Sequence, residues 1–428
     1  MITNLLIAAL LTRGATPGFQ DTLSAGGRRV LDDVKYLAAD AREGRGVGTQ
    51  GLEDAGRYLA DAFRRLRLKP GNPDGTYFQP FTISPDAPAA QHANAGGATT
   101  RNVVAVLPGR SRALRGQVVV IGAHYDHLGQ GGFGALDPDS TGQVHNGADD
   151  NASGTAGVLE IARLLAKQKP ARTVVFIAFS GEELGTLGSI YFTKHPLVEP
   201  VDSIYAMLNL DMVGRLRERK LLALGAATAA EFSALLDSLN QAPGSSNGAA
   251  TRFDLRASGD GWGPSDHASF YAVKRPVLHF FTDLHEDYHR ATDDWDKIDA
   301  NGIATVARYV ADVALALANR AAPLTFVDVP RPQLSQSGRT SASLGTIPDM
   351  SESPGGVRIS GVRAGGPADQ AGMQGGDIIV RIGDKTIANL YDMTDALNAH
   401  QPGDTVQVVV KRGEQTLTVT AVLGRRGS

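Results

Sequence analysis

The chain of 428 residues contains no cysteine. That absence excludes disulfide staples, thiolate nucleophiles and Cys-rich structural zinc sites, so any metal must be held by nitrogen and oxygen. An excess of charge of either sign is also missing. The net charge is −3 at neutral pH, which gives no basic footprint for nucleic acid and no polycationic surface for a membrane. Long apolar runs are lacking too, and no transmembrane segment is expected. The longest run near the start, Leu5 to Leu11, is far too short to span a bilayer. It suits the apolar part of an export signal, although no Lys or Arg precedes it and no clear small-x-small cleavage site follows near Thr16-Pro17.

With 42% hydrophobic and 20% charged residues the composition is that of an ordinary globular protein, and the length exceeds what one core usually organises. The pattern divides accordingly. Residues 1–22 read as an export signal or disordered leader. From Leu23 to about Leu68 two helical stretches flank a loop with Gly44, Gly46 and Gly48. The middle alternates nearly continuous apolar runs (Asn102 to Leu107, Gln117 to Ala123, Arg172 to Phe179, Ile204 to Leu210, Pro276 to Phe281) with helical spacing such as Gly154 to Lys167. Runs of that kind suit parallel strands covered on both faces. The rhythm predicts a three-layer α/β/α domain with a mostly parallel central sheet over 23–320. Residues 321–342 read as a linker, and 343–428 as a small β-rich domain of short strands and Gly-rich turns.

Chemistry-bearing residues sit at the exits of the apolar runs: His124 with Asp126, Glu182 with Glu183, Asp211, and His289 a little beyond its strand. Asp149-Asp150 opens a helix. Ligands of an open α/β sheet collect outside the C-terminal ends of its strands. Asp126, two residues past His124 in extended backbone, is placed to accept a hydrogen bond from the imidazole while the other ring nitrogen holds metal. Of two adjacent acids, one can bind metal while the other faces a water molecule. A lone Asp at a strand end is more often a turn residue, and His127 and His145 read as loop residues and Glu160 as a helix-surface acid. Several carboxylates converging without a cation would repel one another strongly. Asp150, Glu183, Asp211 and a hydroxide would balance two divalent cations, for which zinc suits mixed His and carboxylate ligation, with manganese or cobalt as substitutes.

At these residues the chain resembles family 28 of the metallopeptidases, the MH-clan zinc exopeptidases that include bacterial leucyl aminopeptidases and transferrin-receptor-like proteins. The matching stretches are GAHYDHLG from Gly122, NGADDNASG from Asn146, FSGEELGTLGS from Phe179, LNLDMVGR from Leu208, SDHASF from Ser265 and HEDYHRATDDWDKID from His285. The resemblance covers about Gly27 to Asn319. It implies two zinc ions with His124 and Asp211 on different metals, Asp150 bridging, Glu183 and His289 completing the shells, and Glu182 as general base. It also implies Asp126 as the partner of His124, and Tyr288 as a phenol that stabilises the oxyanion, against the alternative of a packed aromatic. Other members carry Tyr where this chain has Trp262. His285 competes with His289 for the last ligand position.

The implied activity is removal of the N-terminal residue from peptides with a free N-terminus, by a secreted or periplasmic enzyme. Alternatives are carboxypeptidase or dipeptidase action on the same scaffold, an inactive transferrin-receptor-like binding protein and, less favoured, a glutaminyl cyclase. Between Pro80 and Arg101 there is too little chain for a protease-associated insert domain. The segment from Ser343 to Gly424, with Gly366-Pro367-Ala368, Ala371-Gly372-Met373 and Gly375-Gly376-Asp377-Ile378-Ile379, resembles bacterial PDZ domains. That resemblance implies a carboxylate-binding loop at Leu344-Gly345-Thr346-Ile347 for a peptide C-terminus, or a domain that merely packs on the catalytic unit.

Overall fold

Aliphatic and β-branched runs alternating with amphipathic helices build a nine-stranded mixed sheet in the computed structural model, which describes residues 23–241, 252–330, 342–350, 353 and 355–425. The proposed leader and the end of the linker lie outside these. In chain order the strands are β1 Lys69–Pro70, β2 Phe78–Thr82, β3 Thr99–Leu107, β4 Val118–His124, β5 Thr173–Phe179, β6 Ile204–Leu210, β7 Lys220–Leu224, β8 Asp254–Ser258 and β9 Val277–Phe281. Their spatial order is β1-β3-β5-β4-β6-β9-β7-β8, with β2 on β3.

The four central strands β5, β4, β6 and β9 run parallel and are buried along their whole length. One face carries the helices Ala25–Leu37, Gln50–Arg65, Gly154–Leu165 and Ala300–Asn319 around one apolar core. The other face is covered by Phe192, Phe270 and Tyr271 from shorter helices and by Phe326 and Val329 of the following segment. Ala300–Asn319 is long and apolar enough to cross a membrane by length and composition, yet 61% of its apolar window is buried in this protein core. Gly122 in β4 meets a space requirement, since a Cβ there would lie 2.5 Å from the Phe179 ring.

The Asn102–Leu107 run, expected as a parallel strand, is antiparallel to β5. Only residues 108–117 separate β3 from β4, and they contain no helix; a parallel crossover needs a dozen or more residues. The segment Ala321–Pro330 is not a free spacer. Phe326 bridges Ala229, and the Thr325 hydroxyl and amide bind Glu231.

Residues 342–425 form a second, antiparallel sheet, Thr346–Pro348, Val357–Val362, Ile378–Ile382, Thr405–Arg412 and Gln415–Val422 in that spatial order, with the helix Leu390–Asn398 and a core of its own. Among the described residues it is tied to the first domain around Asp283. Lys220 Nζ lies 2.7 Å from Asp283 and 2.7 Å from Asp349, the Met350 amide donates to Asp283 at 3.2 Å, and Met350 packs beside Phe281 and Tyr288.

Candidate metal centre

Because β5, β4, β6 and β9 are parallel, their carboxyl ends share one edge, and that edge gathers the acids and imidazoles. His124 closes β4. Its Nε2 is 3.3 Å from Asp150 Oδ1 and 3.4 Å from Asp211 Oδ1, with Glu182 Oε2 at 4.0 Å. On the other side of Asp150, the second carboxylate oxygen is 3.1 Å from His289 Nε2, which is 3.3 Å from Glu183 Oε2. Two donor groups therefore share one carboxylate, and each oxygen of Asp150 faces a different imidazole. Asp211 falls in the His124 group rather than on the opposite metal as expected, because β4 and β6 are adjacent and in register up to Gly122 and Asn209.

The outer imidazole nitrogens are engaged by backbone oxygen. His124 Nδ1 is 3.2 Å from the Asp126 carbonyl, and His289 Nδ1 is 2.8 Å from that of Gly134. Donating there leaves the Nε2 lone pairs pointing inward, which is the tautomer a metal requires. The expected bond from His124 to the Asp126 carboxylate is not made, since the carboxylate lies 3.9 Å away. The chain turns after His124, and the carboxylate instead accepts the backbone amides of Glu182 at 3.2 Å and Glu183 at 3.4 Å. It thus orients the two adjacent acids rather than the imidazole.

His127 and His145 both lie in loops, as expected, and both are buried. His127 Nδ1 bonds Glu183 Oε1 at 2.7 Å and His145 Nε2 bonds Asp137 at 2.8 Å. Glu160 is buried as well and pairs with Arg29 and Arg163. His285 stays out of the centre, bonding Asp149 at 3.0 Å. Tyr288 stacks on His289 with ring centroids 3.9 Å apart. Trp262 is remote in character: its Nε1 donates to the Val329 carbonyl at 3.0 Å and its ring meets Tyr271 edge-on.

Three supports had little signal in the sequence. Asp293, inside the stretch that follows His289, accepts the amides of Asp149 at 2.8 Å and Asp150 at 3.1 Å and pairs with Arg215. Ser265 donates to Asp211 Oδ2 at 2.8 Å. Asp266 is fully buried, and neither of its carboxylate oxygens has a hydrogen-bond partner among the described residues.

Electrostatics follow from this crowding. Burial raises the Glu182 carboxyl well above the usual range, with Glu183, Asp266 and Asp211 adding to it against the charge of His124. Burial likewise brings Asp126 to about 6 and Asp266 to about 7. Burial opposes charge on His124 and His289, but Asp211 and Glu182 in one case, and Glu183 and Asp150 in the other, hold both well above the ordinary imidazole value. Asp150 is held well below its ordinary value, its burial outweighed by the bonds to those imidazoles.

The residues fit the binding of a divalent cation. Asp211 Oδ1 and His127 Nε2 are buried without hydrogen-bond partners among the described residues, and the donors are carboxylate oxygen and imidazole nitrogen only, a set suited to zinc. Overlapping triplets of ligand atoms, His124 with Asp150 and Asp211, and His127 with Asp150 and Glu183, each lie within 4.8 Å. Asp211 and His289 are 14% exposed at the side chain, so the centre can be reached from solvent.

The family model of peptidase family M28 matches residues 102–314, and that of the PDZ domain matches residues 342–423. Aminopeptidase YwaD of Bacillus subtilis is 34% identical over 116 residues, which is 27% of this chain and 22% of that protein. The chain spans about a fifth of the length of the curated relatives it matches. A solved Zn-dependent exopeptidase from Parabacteroides distasonis aligns with a TM-score of 0.55 at 20% identity, over 68% of this chain and 97% of that one. A glutaminyl cyclase from Bacteroides thetaiotaomicron aligns with a TM-score of 0.54 at 19% identity, over 68% and 97%. At such identities the likeness shows the fold, and a fold shared by a peptidase and a cyclase does not select the reaction.

Proposed function

Residues 102–314 of this chain are a peptidase family M28 domain and residues 342–423 a PDZ domain, and from that premise we propose a zinc aminopeptidase that holds two ions and removes the N-terminal residue of peptides. The observation that carries the reading is the pair of donor groups sharing Asp150, with Glu182 beside them and outside both. His124, Asp211 and one oxygen of Asp150 would hold one ion; His289, Glu183 and the other oxygen would hold the second. Bound zinc supplies Lewis-acid polarisation of the scissile carbonyl and a water molecule acidified toward a pKa of about 7.

Glu182 takes the proton from the attacking water and delivers it to the leaving amine. Its raised proton affinity suits a group that must both accept and release a proton. Asp126 fixes the Glu182 and Glu183 backbone, so that one acid faces the ion and its neighbour the water. Burial and four nearby acids keep the Tyr288 phenol protonated, so it can donate to the developing oxyanion. The PDZ domain takes a peptide C-terminus at the Leu344-Gly345-Thr346-Ile347 loop. The Leu5 to Leu11 run serves export, which N-terminal sequencing of the mature protein would test.

The decisive experiment combines metal analysis with a substrate panel. Two zinc ions per chain and hydrolysis of aminoacyl anilides but not of their N-acetylated forms are expected. A single ion, cleavage from the carboxyl end, or cyclisation of N-terminal glutamine without hydrolysis would overturn the proposal.

A further inference from the structure

Between the two domains lies a cavity of about 700 Å³ that belongs wholly to neither. One wall is the PDZ side, with Leu344, Ile347, Met393 and Leu397; the other is the loop Leu284–Thr292, which carries the metal-site residues Tyr288 and His289. Among the described residues the strand Thr346–Pro348 is the edge of its sheet and pairs on one side only, with Val357–Val362. Its free edge can accept an extended peptide, and the apolar side chains can take the last residue of that peptide.

Charge points to the end of the peptide that enters. Arg363 of the PDZ side and Arg290 of the catalytic loop both line the cavity. The Arg290 guanidinium makes no ion pair among the described residues, and Arg363 has its charge disfavoured by burial and by Arg290. Of the acids in the lining, Asp287 is already engaged by Lys297 and Arg215, and Glu286 is exposed. A carboxylate brought to the Arg290 guanidinium would gain a charge-assisted hydrogen bond there.

The cavity lining includes Tyr288 but not His124, Asp150, Glu182, Glu183, Asp211 or His289. An occupant therefore touches the ring stacked on His289 without entering the metal centre. That separates it from the substrate being cleaved.

We propose that this cavity is a composite site for the carboxyl terminus of a second peptide with an apolar last residue, held jointly by the PDZ groove and the Leu284–Thr292 loop, and that filling it alters turnover at the metal centre. It rests on the aminopeptidase and PDZ readings above and adds the second wall and its consequence. Occupancy would restrain the loop that positions Tyr288 and His289, and a shift in that loop is felt at reacting distances.

The test uses the full chain and pools of N-acetylated hexapeptides randomised at the last three positions, made as free acids and as amides. Acetylation keeps them from being aminopeptidase substrates. Free acids with apolar last residues should be retained and amides should not. Retained acids should slow hydrogen exchange across 284–292 and change kcat/KM for leucyl anilide at least about twofold. Arg290→Ala should weaken binding of the selected acid about fivefold or more, the loss of one charged hydrogen bond, and Leu397→Glu should abolish it. Retention of no free acid overturns the proposal. So does binding that ignores Arg290→Ala and leaves 284–292 exchange unchanged, which would mark a groove formed by the PDZ domain alone, and so does full occupancy with unaltered anilide turnover. An anilide left uncleaved under all conditions would instead count against the aminopeptidase reading, and the binding and exchange arms would still decide the composite site.

Discussion

Removing the guanidinium of Arg45 should destabilise the catalytic domain more than most single substitutions. Arg45 is fully buried within the Gly-rich loop, between Gly44 and Gly46. Its Nε donates to the Tyr125 carbonyl at 2.8 Å, Nη1 to those of Leu37 and Asn146 at 2.7 Å each, and Nη2 to that of Gly147 at 2.9 Å. One side chain thus ties the residue after His124, and the approach to Asp150, to the end of the Ala25–Leu37 helix. Burial lowers its pKa to about 10 against the charges of Asp126, Asp150, Asp293 and Glu183, so it stays cationic at neutral pH. Arg45→Met fills similar space but leaves the buried carbonyls of Tyr125, Leu37 and Asn146 without the Arg45 donor, while that of Gly147 keeps the Ala152 amide at 3.1 Å. Each unsatisfied group costs about 1–3 kcal/mol, though neighbouring losses overlap. Breaking a buried charge interaction by removing one partner typically costs about 3–5 kcal/mol, and we take that as the expected loss. At roughly 2–4 °C per kcal/mol for a domain of this size, Tm should fall by on the order of 10 °C. The measurement is thermal unfolding at fixed free zinc, because ligand concentration moves Tm by itself. Arg45→Lys keeps the charge but cannot reach four carbonyls with one ammonium, so it should recover less than half of the loss. A methionine variant within about 2 °C of the parent, a shift below about 1 kcal/mol, would refute this reasoning. Full recovery by lysine would show that charge alone matters.

Glu182→Gln should retain zinc by metal analysis while turnover falls by about 10²–10⁴; parent-like turnover would remove Glu182 from its role. His124 and His289 are held well above the ordinary imidazole value, by Asp211 with Glu182 and by Glu183 with Asp150. Metal must then displace protons, so apparent zinc affinity should climb as pH rises from about 6, and calorimetry in buffers of different ionisation enthalpy should detect proton release; a pH-independent affinity would contradict the tautomer argument. In the PDZ domain, buried Asp377 accepts from Arg412 at 2.7 and 2.8 Å and from the Gln374 amide at 3.0 Å, and the Arg412 bond holds its carboxyl below the ordinary value. Asp377→Asn should cost about 1–3 kcal/mol in PDZ unfolding at neutral pH. That contribution is present above the unfolded pKa of about 3.9 and lost as pH falls through the lower folded value, where parent and variant should converge.

What could be read from the sequence was whatever periodicity or strand-end chemistry encodes. The strands Ile204–Leu210, Val357–Val362 and Ile378–Ile382 coincide with their apolar runs because burial on both faces, or strict alternation, leaves a local pattern. β2, β7 and β8 were not legible. Phe78–Thr82 and Asp254–Ser258 are short and partly exposed, and they become strands only through the neighbours they pair with. At the site, residues that end strands were found, and residues that act by filling a buried place were not. His127 looks like any loop imidazole until Glu183 is brought to it from β5, 56 positions away. The division of Asp126, backbone carbonyl to His124 and carboxylate to the next strand's amides, depends on how the chain turns after β4, which no spacing rule determines.

Charge, as well as donor geometry, favours the binding of cations. Asp126, Asp150, Glu182, Glu183, Asp211 and Asp266 lie together with side chains no more than 14% exposed. The permanent cation among the groups acting on them is Arg45, whose own burial already opposes its charge. Six ionised carboxylates in such surroundings cannot persist against their mutual repulsion, so either protons or cations must enter. Burial puts the first protons on Glu182 and Asp266, with their acid neighbours adding to the effect. A single divalent ion beside Arg45 would leave three negative charges around Glu182, which still oppose its ionisation. The two ions of the proposed centre would leave one negative charge, and the repulsion that opposes ionisation of Glu182 would be smallest. The same buried acids that make the centre costly to fold without cations are what allow it to be a base once both places are filled.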